Sequence, residues 1–153
     1  MDMFPMLFNY SVIDSEHNRK LPYYWILNSQ QEFALVGERK ALDEEVSLYA
    51  VNDTLKDVRV DYTVTAYDEQ LNDRVIATGS CKQKKNSAEL INKIANGDKP
   101  ELWIIKWNYQ GKTAVNHTFV GRPSYEAAKE WVKIIGREMG RLDDFREIAW
   151  LEK

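Results

Sequence analysis

Val58-Arg59-Val60-Asp61-Tyr62-Thr63-Val64-Thr65-Ala66-Tyr67 alternates apolar and mostly polar residues, with Val58, Val60, Tyr62, Val64 and Ala66 on one parity. A period of two marks a strand with one buried face, because successive side chains point to opposite sides of the pleat. Just upstream, Val46-Ser47-Leu48-Tyr49-Ala50-Val51 is rich in β-formers and stops at Asn52-Asp53-Thr54, whose short polar side chains bond nearby backbone amides and so favour turns. The two runs read as neighbouring strands.

Working outward, further strands are expected at Phe33–Val36 and at Arg74–Thr78, with Gly79 ending the second. Ala88–Ile91 reads equally as a strand or a helical turn. Leu102–Tyr109 and Lys112–Phe119 flank Gln110-Gly111, a two-residue link containing Gly of the kind that closes a hairpin. Short strands at this spacing suggest a sandwich.

A helix is expected at each end. One opens near Pro22 and carries Tyr23, Tyr24, Trp25 and Leu27, with Pro where its missing N–H costs nothing. The other follows Ser124, whose hydroxyl can cap the free amides of a first turn that Glu126 suits electrostatically. Ala128, Val132, Ile135 and Met139 then share one helical face, and Gly140 offers the stop. The expected fold is mainly β: an immunoglobulin-like antiparallel β-sandwich with a short N-terminal helix and a C-terminal amphipathic helix. The only break in character falls near Gln30, with no internal repeat and no long Gly/Ser linker.

Composition excludes several classes. The 153 residues are long enough for one core without covalent staples, and 44% hydrophobic against 29% charged residues is an ordinary folded profile. A net charge of −3 with one short basic cluster, Lys82–Lys85, gives no footprint for nucleic acid. Cys81 is the single cysteine, which leaves neither an internal disulfide nor a thiolate metal site. His17 and His117 lack metal-ligand spacing and read as surface or loop histidines. No cofactor motif is present, no stretch is long enough to span a bilayer, and Met1–Phe8 lacks the features of a signal peptide. Trp103 and Trp107 share a strand parity with Ile105, so one strand face carries two indoles. Core packing explains this better than a sugar-stacking platform, since large aromatics dominate cores.

The opening segment resembles a known family. Asp2-Met3-Phe4-Pro5, Asn9-Tyr10-Ser11-Val12-Ile13-Asp14 and Arg19-Lys20-Leu21-Pro22-Tyr23-Tyr24 follow in order a pattern of family 2 glycoside hydrolases of the β-mannosidase and exo-β-glucosaminidase type. Val51-Asn52-Asp53-Thr54-Leu55 is similar to the start of the immunoglobulin-like domain that follows the barrel in these enzymes. Asn116-His117-Thr118-Phe119-Val120-Gly121-Arg122-Pro123-Ser124-Tyr125 resembles that domain's ending. Phe4 and Tyr10 stand where the family has Trp.

The resemblance implies that residues 1–30 are the last loop and helix of a TIM barrel, 31–123 the immunoglobulin-like sandwich, and 124–153 a helix and tail packed on it. It further implies a parent that is a retaining glycosidase; the compartment stays open, a periplasmic or secreted parent being one option. The catalytic glutamates would lie upstream on barrel strands, the partner would be that barrel in the same polypeptide, and Asp2 and Phe4 would approach the sugar in the parent. The chain by itself is then expected to be no enzyme: glycoside hydrolysis needs two carboxylates held across the sugar, and Asp43-Glu44-Glu45 and Asp143-Asp144 read as solvated charge runs. The alternative is a stand-alone carbohydrate-binding sandwich stacking sugars on Trp103, Trp107 or Tyr49.

Overall fold

The structure is a computed structural model that describes residues 12, 13, 17, 19, 21–40 and 44–141. The described elements run α1 (Leu21–Ser29), β1 (Phe33–Glu38), β2 (Glu45–Asn52), β3 (Val58–Tyr67), β4 (Asp73–Gln83), β5 (Ser87–Ala95), β6 (Glu101–Tyr109), β7 (Lys112–Val120) and α2 (Tyr125–Glu138). The strands form two antiparallel sheets, a three-stranded one in the order β1-β2-β5 and a four-stranded one in the order β4-β3-β6-β7. This is the expected sandwich, in an arrangement that pairs β4 with β3 on the four-stranded sheet instead of placing it beside β5.

The opening decapeptide behaves as its alternation requires: Val60, Tyr62, Val64 and Ala66 are buried in the core between the sheets. Its expected neighbour is different. β2 buries Val46, Leu48 and Ala50 in the same core, yet it pairs with β1 and β5 on the opposite sheet. Alternation shows that each strand has one buried face, and two strands facing each other across a sandwich satisfy that as well as two strands side by side.

Asn52, fully buried, ends β2, where the chain leaves one sheet for the other. Its Nδ2 donates to the carbonyls of Lys56 (2.9 Å), Lys84 (2.9 Å) and Gln83 (3.4 Å), while its Oδ1 accepts from the Thr54 amide (3.1 Å) and hydroxyl (2.7 Å). One amide thereby ties the β2–β3 connection to the β4–β5 turn.

β4 does not stop at Gly79 but continues through it to Gln83. Gly79 lies opposite Tyr62, and an added Cβ would come within 2.8 Å of the Tyr62 hydroxyl oxygen. The glycine is there because the tyrosine ring lies across it, which also restores the cover that a bare strand glycine lacks. Ser87–Ala95 resolves as a strand. Irregularities between Val64 and Thr65 and between Leu48 and Tyr49 fall in the pairings to the edge strands β4 and β5. Bulges at such positions spoil the flat template that an open edge presents to other chains.

β6 is buried on both faces. Trp103, Ile105 and Trp107 fill the core between the sheets, and Leu102 and Ile104 face a second core with α2 and Tyr24 of α1. α2 begins as expected, with the Ser124 hydroxyl accepting from the Ala127 amide at 3.3 Å. It ends in a Schellman arrangement, in which the Gly140 amide donates to Arg137 (3.0 Å) and the Arg141 amide to Gly136 (2.7 Å), with Gly140 at φ +65. Its buried stripe is rotated from the expected one: Ala127, Trp131, Val132, Ile134 and Ile135 are buried, while Ala128 and Met139 are half-buried. Trp131 sets this rotation, because its indole is fully buried and its N–H reaches the Asp68 carbonyl at 3.1 Å.

Candidate functional site

The candidate residues do not converge. Asp2 and Phe4 lie outside the described residues, as do Asp43, Asp143 and Asp144. Trp103 and Trp107 are 1% and 2% exposed and face inward, so neither presents an indole face on which a sugar ring could stack. The Trp103 N–H donates to Glu101 Oε2 at 2.8 Å, and the Arg74 guanidinium meets the other Glu101 oxygen at 2.7 Å. Glu101 is thus a buried carboxylate consumed by an indole and a guanidinium, which fits a structural anchor better than an acid or base waiting for substrate. Tyr49 is half-buried on the outer face of the three-stranded sheet, in a cross-strand row with Val36 and Leu90.

The exposed aromatics lie elsewhere. On the outer face of β7, His117 has Trp25 of α1 on one side (ring centroids 5.6 Å apart) and Phe119 on the other (5.4 Å), and Phe119 stacks on Trp131 (6.1 Å). Trp25 and Phe119 are 38% and 37% exposed. His117 is therefore not a simple surface histidine. Burial pushes its pKa down to about 4, and its Nδ1 has no hydrogen-bond partner. His17 is exposed, with φ +69. Among the described residues, no group of three or more His, Cys, Asp or Glu side chains is placed to hold a metal ion.

A cleft of about 480 Å³ opens between α1, the C-terminal end of α2 and the β6–β7 turn. Tyr24, Leu27, Tyr109 and Val115 give it apolar surface, and Asn28, Gln31 and Gln110 bring amide groups to it. The amides are already tied to neighbours. Gln31 Nε2 donates to Asn28 Oδ1, Asn28 Nδ2 donates to Asn116 Oδ1 at 3.4 Å, and Gln110 Nε2 donates to the Tyr109 hydroxyl at 2.9 Å. Sequence reasoning passed over these residues because single Asn and Gln residues near turns carry no spacing signal. Gln110-Gly111 was legible only as a turn.

The sequence matches no family profile and no curated protein. Among solved structures, the chain is similar to part of a β-D-mannosidase from Dictyoglomus thermophilum: TM-score 0.56, 16% identity, covering 72% of this chain and 14% of that one. A β-glucuronidase from Parabacteroides merdae shows a weaker likeness, with TM-score 0.36 and 13% identity, covering 60% of this chain and 13% of that one. At these identities the likeness to the mannosidase establishes a shared fold. The chain spans about one seventh of that enzyme's length.

Proposed function

We propose that this chain is a non-catalytic accessory domain of a family 2 β-glycosidase acting on β-mannosides or related β-glycosides. Its partner in this reading is the catalytic TIM barrel of the same polypeptide, with the active-site glutamates on that barrel. The observation that carries the reading is the sandwich shared with part of a β-mannosidase over 72% of this chain. The ordered motif resemblance at residues 2–24 and 116–125 points the same way.

The surface of α1 supports it. Tyr24 is 3% exposed in the second core, while Trp25, Ile26 and Leu27 are 38%, 51% and 45% exposed. A helix apolar on more sides than its own domain covers is suited to lie between two bodies. In this division residues 1–30 end the barrel, 31–123 form the sandwich and 124–153 cap it.

The test is the size of the native protein, probed in lysate of the source cells with an antibody raised against this chain. A band far above 17.9 kDa is expected, and a sole band at 17.9 kDa would overturn the reading. Incubation of the isolated chain with aryl β-mannoside should give no more than the blank rate.

A further inference from the structure

We propose that the cleft between α1, the end of α2 and the β6–β7 turn binds a neutral pyranoside. This site is separate from Trp103, Trp107 and Tyr49, and it does not depend on the accessory-domain reading, which a failure to bind sugar would leave standing.

Size and lining come first. A volume of about 480 Å³ lies within the range of small-ligand pockets, roughly 300–1,000 Å³. Apolar side chains interrupted by a few polar groups are the usual make-up of such pockets, the apolar part supplying contact area and the polar part orientation. Here the polar part is amide in character: Asn28, Gln31 and Gln110, with the Tyr109 hydroxyl beside them. Beyond the bonds to neighbours, each carboxamide keeps a second N–H hydrogen and a further oxygen lone pair, a donor and an acceptor side by side. That matches neighbouring hydroxyls on a sugar ring, each of which also donates and accepts, while the C–H face of the ring suits the exposed apolar side chain of Leu27.

Charge argues for a neutral ligand. Of the charged side chains at the cleft, Glu138 is occupied by Lys106 at 2.5 Å, and the Arg141 guanidinium lies over the Tyr24 ring, 5.8 Å from its centroid. Lys112 alone is a weak basis for selecting an anion.

The backbone at Gln110 is an independent observation. Gln110 and Gly111 have φ +51 and +76, the left-handed pair that a two-residue hairpin turn requires. Asn is favoured at the first of these positions, and a longer side chain is held there at a cost in strain. Glutamine places its amide one methylene further out, over the cleft and against Tyr109. Strain accepted at a position that lines a cavity points to a use for the side chain that accepts it.

The experiment is a titration of the ¹⁵N-labelled full chain with mannobiose, cellobiose and glucuronate, following side-chain amide resonances. Saturable shifts centred on Asn28, Gln31 and Gln110 are expected with the neutral disaccharides, with a Kd on the order of 1 mM, and a weaker response to glucuronate. Gln110→Asn should leave the melting temperature unchanged or raised, because Asn suits the turn, while weakening sugar binding about tenfold or more. Gln31→Ala should weaken binding similarly. The proposal is overturned by an absence of saturable shifts, by binding that survives both substitutions, or by a preference for glucuronate.

Discussion

Replacing Asn52 by Asp changes one NH2 group to oxygen with little change of shape, and it tests whether this buried amide holds the two sheets in register. The acceptor side is retained, so the Thr54 amide and hydroxyl keep their partner. The donor side is lost. The Lys56 and Lys84 carbonyls at 2.9 Å, and the Gln83 carbonyl at 3.4 Å, would face an oxygen in place of N–H. Two good hydrogen bonds at about 1 kcal/mol each, together with the desolvation cost of the groups left unpaired, amount to a loss of about 3–5 kcal/mol at pH 7. That is a large part of the roughly 5–15 kcal/mol that holds a domain together. At about 3 °C per kcal/mol for a domain of this size, the melting temperature should fall by about 10 °C or more.

The pH dependence sharpens the test. The introduced carboxylate, buried among carbonyls, should have its pKa raised above the unfolded value of about 3.9. The folded variant then binds a proton more tightly than the unfolded chain, so its deficit relative to the parent is greatest at neutral pH. The deficit shrinks as pH falls through the raised pKa, where the new O–H can donate to one carbonyl. Urea unfolding at pH 7 and at stepwise lower pH measures both effects. A variant within about 0.5 kcal/mol of the parent, or a deficit independent of pH, would refute the assignment of Asn52 as the tie between the two connections.

Other consequences are equally open to measurement. His117 titrates near 6.5 when unfolded and near 4 when folded, so its contribution is intact above pH 6.5 and is lost as pH falls toward 4, by up to about 3 kcal/mol; His117→Asn should flatten that part of the parent's stability–pH curve. Gly79→Ala should cost about 1–3 kcal/mol by driving a methyl group into the Tyr62 ring, and distinctly less in a Tyr62→Ala background, which a double-mutant cycle in denaturant would resolve. Ser124→Ala removes the cap of α2 and should lower stability by about 1 kcal/mol, seen as an earlier unfolding midpoint with unchanged slope.

Much of the architecture was legible because it rests on local rules. β3 runs over the decapeptide whose alternation announces it, the β6–β7 hairpin turns at Gln110-Gly111, and α2 is capped by Ser124. What was not legible depends on contacts distant in sequence. Strand partnership was misread for β2 and β3 because the Asn52 bonds that tie one crossing to another reach 31 and 32 residues along the chain. Gly79 looked like a strand end because its cover, Tyr62, lies on another strand. The face of α2 turned because Trp131 finds its acceptor at Asp68, 63 residues away. The same limit governs the site. A sequence shows where aromatics are, but exposure decides which of them can meet a ligand, and Trp25 and Phe119 are at the surface while Trp103 and Trp107 are not.

The position of α1 bears on how a sandwich of this kind would serve a larger enzyme. A boundary near residue 30 assigns the helix to the preceding body, but its packing ties it to the sandwich as well. Tyr24 sits in the core shared with α2, and the Asn28 amide bonds to Asn116, whose own amide reaches across to the Leu35 carbonyl on the other sheet at 2.9 Å. Trp25, Ile26 and Leu27 meanwhile stay partly exposed, Trp25 against His117 and Leu27 in the lining of the cleft. A helix joined to the sandwich by one face and apolar on another transmits orientation: whatever covers the outer face is held at a fixed angle to both sheets. In the proposed parent that body would be the barrel, so loosening α1 should disturb the barrel's placement before it disturbs the sandwich. Tyr24→Ala separates the two effects, because it undoes the inner contact while leaving Trp25, Ile26 and Leu27 in place to be covered.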